Sequence, residues 1–245
     1  MRKIWLAAFA ILPLLASYDT KAQMSRSDDV YIVFLYDVSR SYADLGAATG
    51  NVDEMKKIVA GVSKPVTIGF SSISDCQCRD DDEDIPAAAP CRKGWVEIKR
   101  REMNWGRYRP NQGGVNSDGT FARIHEQLRS VEKTDLYGAI RFASRRFMSN
   151  IDRWRYLIVF SDLDEDLPKW CPETALEPDS LNDVTVYVIN FREVPRYKVQ
   201  HRKSAMRRKT EFERALFGAG AVQVKFENDI RQIIQEMNSA REQRF

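Results

Sequence analysis

Histidine is nearly absent from this chain: two residues in 245, His125 and His201. Both fall in stretches that read as helical or basic, far in sequence from any serine or cysteine in a triad-like context. That argues against nucleophilic catalysis of the Ser–His kind. Imidazole also has little part in any metal site the chain could build. Beyond the first two dozen residues no apolar run approaches the length needed to cross a bilayer. There is no internal repeat, and nothing in the composition suggests collagen, a coiled coil or a chain without a core. A hydrophobic fraction of 43% is that of a globular protein. The formal charge of +3 is small for this length, so no polyanionic partner is implied by charge alone.

The amino terminus reads as a targeting segment. Arg2 and Lys3 make a basic start, Ile4 to Ala16 is apolar but for Pro13, and Thr20 and Ala22 offer small residues for cleavage. Residues 1–22 are therefore expected to be a signal peptide, followed by a polar linker over 23–29. The apolar run is short for an anchor, and no cysteine follows it to take a lipid. Losing Arg2, Lys3, Lys21 and Asp19 brings the formal charge from +3 to about +1. The expectation is an exported protein, periplasmic or secreted from a bacterium. Four cysteines, Cys76, Cys78, Cys91 and Cys171, then suggest two disulfides in an oxidising compartment. Cys76 and Cys78 are too close to bridge each other easily. The spacing lacks the paired pattern of a zinc ribbon.

The chain is organised around Val30 to Ser41, V-Y-I-V-F-L-Y-D-V-S-R-S. Val30 to Tyr36 is β-branched and aromatic, with no polar interruption, as a strand buried on both faces of a parallel sheet must be. Further strands are expected at Val66–Phe70, Trp95–Ile98 (an edge), Tyr156–Phe160, Val184–Ile189 and Val222–Phe226. Helices are expected at about 52–62, 120–131, 136–148, 204–217 and from Glu227 or Asn228 to about 239. Strands alternating with helices give a doubly wound α/β domain over 30–240, mostly parallel, with helices on both faces. A stretch at about 72–93 interrupts the pattern. It holds three of the cysteines and the run Asp80-Asp81-Asp82-Glu83-Asp84, and reads as a surface insertion.

Oxygen-bearing side chains stand where the buried strands end. Asp37, Ser39 and Ser41 follow the first, and Asp162 follows Y-L-I-V-F. Between them Lys133-Thr134-Asp135-Leu136 opens a helix, with Thr134 a candidate N-cap. In open α/β sheets ligands bind at the carboxyl ends of the strands. If the strands from 30 and 156 are neighbours, two carboxylates and three hydroxyls converge. Hard oxygen donors without imidazole or thiolate suit Mg²⁺ or Mn²⁺.

D-x-S-x-S after an apolar strand, T-D-L-Y-G-A-I opening a helix and L-I-V-F-S-D at a later strand end resemble the von Willebrand factor type A domain and its metal-ion-dependent adhesion site. The resemblance covers about residues 28–240. It implies a six-stranded, Rossmann-like sheet with one antiparallel edge strand. It further implies Mg²⁺ held by Asp37, Ser39, Ser41, Thr134 and Asp162, directly or through water, and a protein partner whose Asp or Glu completes the coordination. The function so implied is metal-dependent protein–protein binding, not catalysis. The long segment between Ser41 and Thr134 departs from the family pattern and leaves the partner's identity open.

Other readings compete. Asp162, Asp164, Asp166 and Glu173 have the spacing of an EF-hand calcium loop, but Leu167 stands where that loop requires glycine. Asp37 could be a phosphoryl-accepting nucleophile with Mg²⁺ on Asp162, although Ser39 occupies the place such chemistry gives to a second carboxylate. A scaffold with an empty site is the third alternative. The basic segment 192–209 reads either as a solvated face or as a patch for an anionic surface. It lacks the aromatic interleaving of a nucleic-acid interface.

Overall fold

The computed structural model describes residues 29–38, 48–73, 96–99, 133–150, 153–169, 171, 173–191 and 202–240. The elements, in chain order, are β1 (Val30–Asp37), α1 (Ala48–Gly61), β2 (Val66–Ile73), β3 (Val96–Lys99), α2 (Leu136–Met148), β4 (Trp154–Phe160), β5 (Val184–Ile189), α3 (Arg202–Gly218), β6 (Gln223–Phe226) and α4 (Ile230–Ser239). The strands form one six-stranded sheet in the order β3-β2-β1-β4-β5-β6. Five of them run parallel, and β3 pairs antiparallel with β2 at the edge. This is the α/β architecture expected from the alternation of strands and helices.

The side-chain period of a strand explains the two cores. Val30, Ile32, Phe34 and Tyr36 of β1 face Met55, Ile58 and Val59 of α1, Val62 just after it, and Ile233 and Met237 of α4. Tyr31, Val33 and Leu35 face Leu136, Ala139, Ile140, Ala143 and Phe147 of α2 and Phe212 and Leu216 of α3. Every residue of β1 is buried. A polar residue at any of the first seven positions would lose its water without a ladder-independent partner, which is why the run is apolar throughout.

Several boundaries differ from the sequence expectation. β2 continues to Ile73 through buried Ser71 and Ser72, so the first two residues assigned to the insertion belong to the sheet. β4 begins at Trp154, because Arg155 is buried with NH1 donating to Phe147 O (3.2 Å) and NH2 to Asn182 O (2.6 Å). The helix α1 starts at Ala48, four residues early. The last helix is capped by Asp229, whose carboxylate accepts from Arg231 N. The expected signal peptide, most of the insertion with Cys76, Cys78 and Cys91, the helix at 120–131 and residues 192–201 of the basic segment lie outside the described residues. Among the described residues no helix is long and apolar enough to cross a membrane.

Candidate metal centre

The strand order reverses between β1 and β4. From β1 the sheet builds outward through β2 and β3 on one side and through β4, β5 and β6 on the other. Helices on both faces diverge at such a switch point and leave a crevice at the strands' carboxyl ends. Asp37 closes β1 there, and Ser161 and Asp162 follow the last residue of β4. Tyr36 is in register with Phe160, so the next residues, Asp37 and Ser161, meet across the gap. The Ser161 hydroxyl donates to Asp37 Oδ2 at 2.7 Å. Ser161 Oγ in turn accepts from Leu163 N at 2.9 Å. Asp37 is 1% exposed and Ser161 fully buried.

Asp162, which is half-buried, lies close enough to Asp37 to feel its charge. Its carboxyl is pushed up to about 6, first by burial and then by the Asp37 charge. The Asp164 N–H, donated to Asp162 Oδ1 at 3.0 Å, works the other way, as does the charge of Arg208. Like charges in one desolvated place disfavour ionisation of both. Leu163 turns the chain here with φ +60. That left-handed conformation is costly for a branched side chain, and burial of Leu163 in the α2–α3 core holds it.

Thr134 is held to the loop after β4 by its backbone. It forms a two-way antiparallel bridge with Asp166: Thr134 N donates to Asp166 O (2.9 Å) and Asp166 N to Thr134 O (3.1 Å). Lys133 Nζ reinforces the junction with contacts of 2.8 and 2.7 Å to the Asp166 carboxylate. Thr134 is not the helix cap. Asp135 is: its buried side chain accepts from Gly138 N at 2.8 Å. A carboxylate at the positive end of a helix is favoured. A Cβ at position 138 would stand 2.1 Å from Asp135 Oδ2, so this cap requires glycine. Thr134 is thereby relieved of capping. The loop after Asp162 also touches the helix start through Glu165, whose Oε1 accepts from Tyr137 N at 3.3 Å. Burial pushes Glu165 up to about 7, and the charges of Asp135 and Glu173 add to it.

Of the five residues expected to hold a cation, Asp37 and Asp162 are brought together and Thr134 is tied to the loop that carries Asp162. Ser39 and Ser41 lie outside the described residues. The described donors are two carboxylates and a hydroxyl-bearing residue, a hard set. Among the described residues no group of three or more His, Cys, Asp or Glu is gathered. The EF-hand spacing is not used as such: Asp164 pairs with Arg208 NH1 at 3.2 Å and Asp166 with Lys133. Cys171 is buried and disulfide-bonded, with its partner outside the described residues.

Sequence reasoning passed over Ser161, Asp135 and Arg208. Ser161 had a legible signal, a hydroxyl directly between an apolar strand and a candidate ligand. Arg208 had none, because its partner is set by how α3 crosses the sheet.

The described residues thus form a doubly wound α/β sheet with one antiparallel edge strand and acids at the switch point. No protein-family model matches this chain, and no curated protein does. Among solved structures it is similar to a proximal thread matrix protein from the mussel byssus (TM-score 0.43, 12% identity, 86% of this chain and 46% of that one). It is similar also to the pilus adhesin SpaC of Lactobacillus rhamnosus in its open conformation (TM-score 0.44, 13% identity, 86% and 29%). A third is an aerotolerance-related membrane protein from Bacteroides fragilis (TM-score 0.38, 10% identity, 86% and 97%). The chain spans less than half the length of the first two.

Proposed function

We propose that this chain is an exported von Willebrand A-type module that binds a protein partner through Mg²⁺ or Mn²⁺ at the end of β1. Asp37, Ser39, Ser41, Thr134 and Asp162 would hold the ion, directly or through water. A partner Asp or Glu would supply the last ligand. One observation carries the reading: Asp37 and Asp162 stand together at the switch point, where burial first and then the Asp37 charge raise the cost of ionising Asp162. Two negative charges against a doubly charged ion leave it electrophilic enough to take an outside carboxylate.

The reading is one of binding rather than catalysis. Asp37 Oδ2 is engaged by the Ser161 hydroxyl and the residue is buried, which suits a fixed ligand better than an attacking nucleophile. The test is calorimetric titration with MgCl₂ and MnCl₂, followed by capture from periplasmic extract with and without EDTA. Binding of the ion that is lost in Asp37→Ala, together with EDTA-sensitive capture, is expected. Ion binding unchanged by Asp37→Ala removes the coordination mechanism. Release of phosphate from an aryl phosphate, abolished in Asp37→Asn, would put a Mg²⁺-dependent phosphoesterase in its place.

A further inference from the structure

The described part of the basic segment 192–209 is not a uniform solvated face. Arg207 is 79% exposed on its side chain and pairs along its own helix with Glu211 at 2.6 Å. Lys209 Nζ sits over the ring of Phe226, 4.2 Å from its centroid. Arg208 turns inward instead. Its side chain is 17% exposed, its NH1 lies 3.2 Å from Asp164 Oδ1, and its Nε is buried with no hydrogen-bond partner. Leaving a guanidinium N–H dry and unbonded is unfavourable, so this placement needs another source of stability. Asp164 supplies it. The Asp164 backbone in turn donates to Asp162 Oδ1 at 3.0 Å. The ion pair therefore fixes the residue whose amide steadies a candidate ligand, and it neutralises a third acid beside the two at the switch point.

We propose that the Arg208–Asp164 pair sets how tightly the centre holds a divalent cation, Arg208 acting as a built-in counter-cation that withholds the Asp164 charge from the ion. This inference rests on the metal centre proposed above. Removing Arg208 leaves one more unpaired negative charge near the ion, and removing Asp164 leaves one more positive charge. The two changes act in opposite directions, which a purely mechanical clamp would not produce.

The experiment is titration of the full chain with Mg²⁺, and with Mn²⁺ followed by its electron paramagnetic resonance signal, at low salt and in roughly half-molar salt. Arg208→Gln is expected to bind about three- to tenfold tighter at low salt, and Asp164→Asn about three- to tenfold weaker. The double variant should return to within about twofold of the original, and both single effects should shrink in high salt. Arg208→Lys, which keeps the charge, should bind as the original does, and it carries the test with Asp164→Asn if Arg208→Gln does not fold. Equal weakening in both single variants, or unchanged affinity in both, overturns the inference and leaves the centre standing. An original protein that binds neither ion, with Asp37→Ala indistinguishable from it, removes the centre and this inference together.

Discussion

The sharpest consequence of the geometry is that the metal-free protein should be destabilised by its own site, and that Asp162→Asn should repair it. The carboxyl of Asp162 moves from an ordinary 3.8 in the unfolded chain to about 6 in the folded one. A raised folded value means the folded state prefers the proton. Below pH ~4 both states hold it and there is no penalty. Between about pH 4 and 6 the unfolded chain ionises first, and stability falls as pH rises. Above about pH 6 the penalty is complete, with a ceiling of about 3 kcal/mol and about 1–3 kcal/mol after solvent screening. Asn keeps the oxygen that accepts from Asp164 N and drops the charge. The assay is thermal unfolding in EDTA across pH 4 to 7.5. At pH 7.5 Asp162→Asn should melt about 3–10 °C higher than the original, and at pH ~4 the two should converge. Adding Mg²⁺ at pH 7.5 should raise the original and leave the variant where it is. A variant no more stable than the original at pH 7.5, or an advantage that persists undiminished at pH 4, would show that burial and the Asp37 charge do not penalise the Asp162 carboxylate as described.

Two further substitutions probe how the centre is held. Ser161→Ala removes a hydroxyl that donates to Asp37 and accepts from Leu163 N, so it should cost about 1–3 kcal/mol in denaturant unfolding and weaken Mg²⁺ binding. Gly138→Ala ordinarily favours a helix by roughly 1 kcal/mol. Here the new methyl would meet the Asp135 carboxylate. It should instead lower the melting temperature, and it should add little to Asp135→Ala, since both remove the same cap.

How far the sequence could be read follows from where the chain's stability comes from. The strands were legible because both faces are covered, so Val30–Tyr36, Tyr156–Phe160 and Val184–Ile189 had to be apolar. Their ends were less legible where a polar residue is buried with partners. Arg155 stopped the reading of β4, although two backbone carbonyls, one from α2 and one from the turn before β5, accept from its guanidinium. Ser71 and Ser72 looked like the start of a loop and are sheet. The same limit applies to the site. Asp37, Thr134 and Asp162 could be picked out because each follows or opens an element with a clear hydrophobic signature. The Thr134–Asp166 bridge and the Arg208–Asp164 pair could not. They depend on the path of the loop after β4 and on the face that α3 presents to it, neither of which has a local sequence signal.

The charges in and around the core contrast with one another. Asp135 is buried, and a helix N-terminus accepts it. Arg155 is buried, and two carbonyls accept it. In both cases the fold supplies a group that favours the charge, as burial of an ion requires. Asp162 has such groups too, the Asp164 amide and the more distant Arg208, yet burial and Asp37 outweigh them. Nothing in folding alone rewards two acids placed side by side at the ends of β1 and β4, since a serine or asparagine at 162 would accept the same amide. A chain that keeps the arrangement carries a penalty that a proton on Asp162 removes at low pH. At neutral pH the divalent ion proposed above would offset it. Occupancy of the ion and stability of the fold should therefore rise together, which makes the site readable by melting temperature before any partner is in hand.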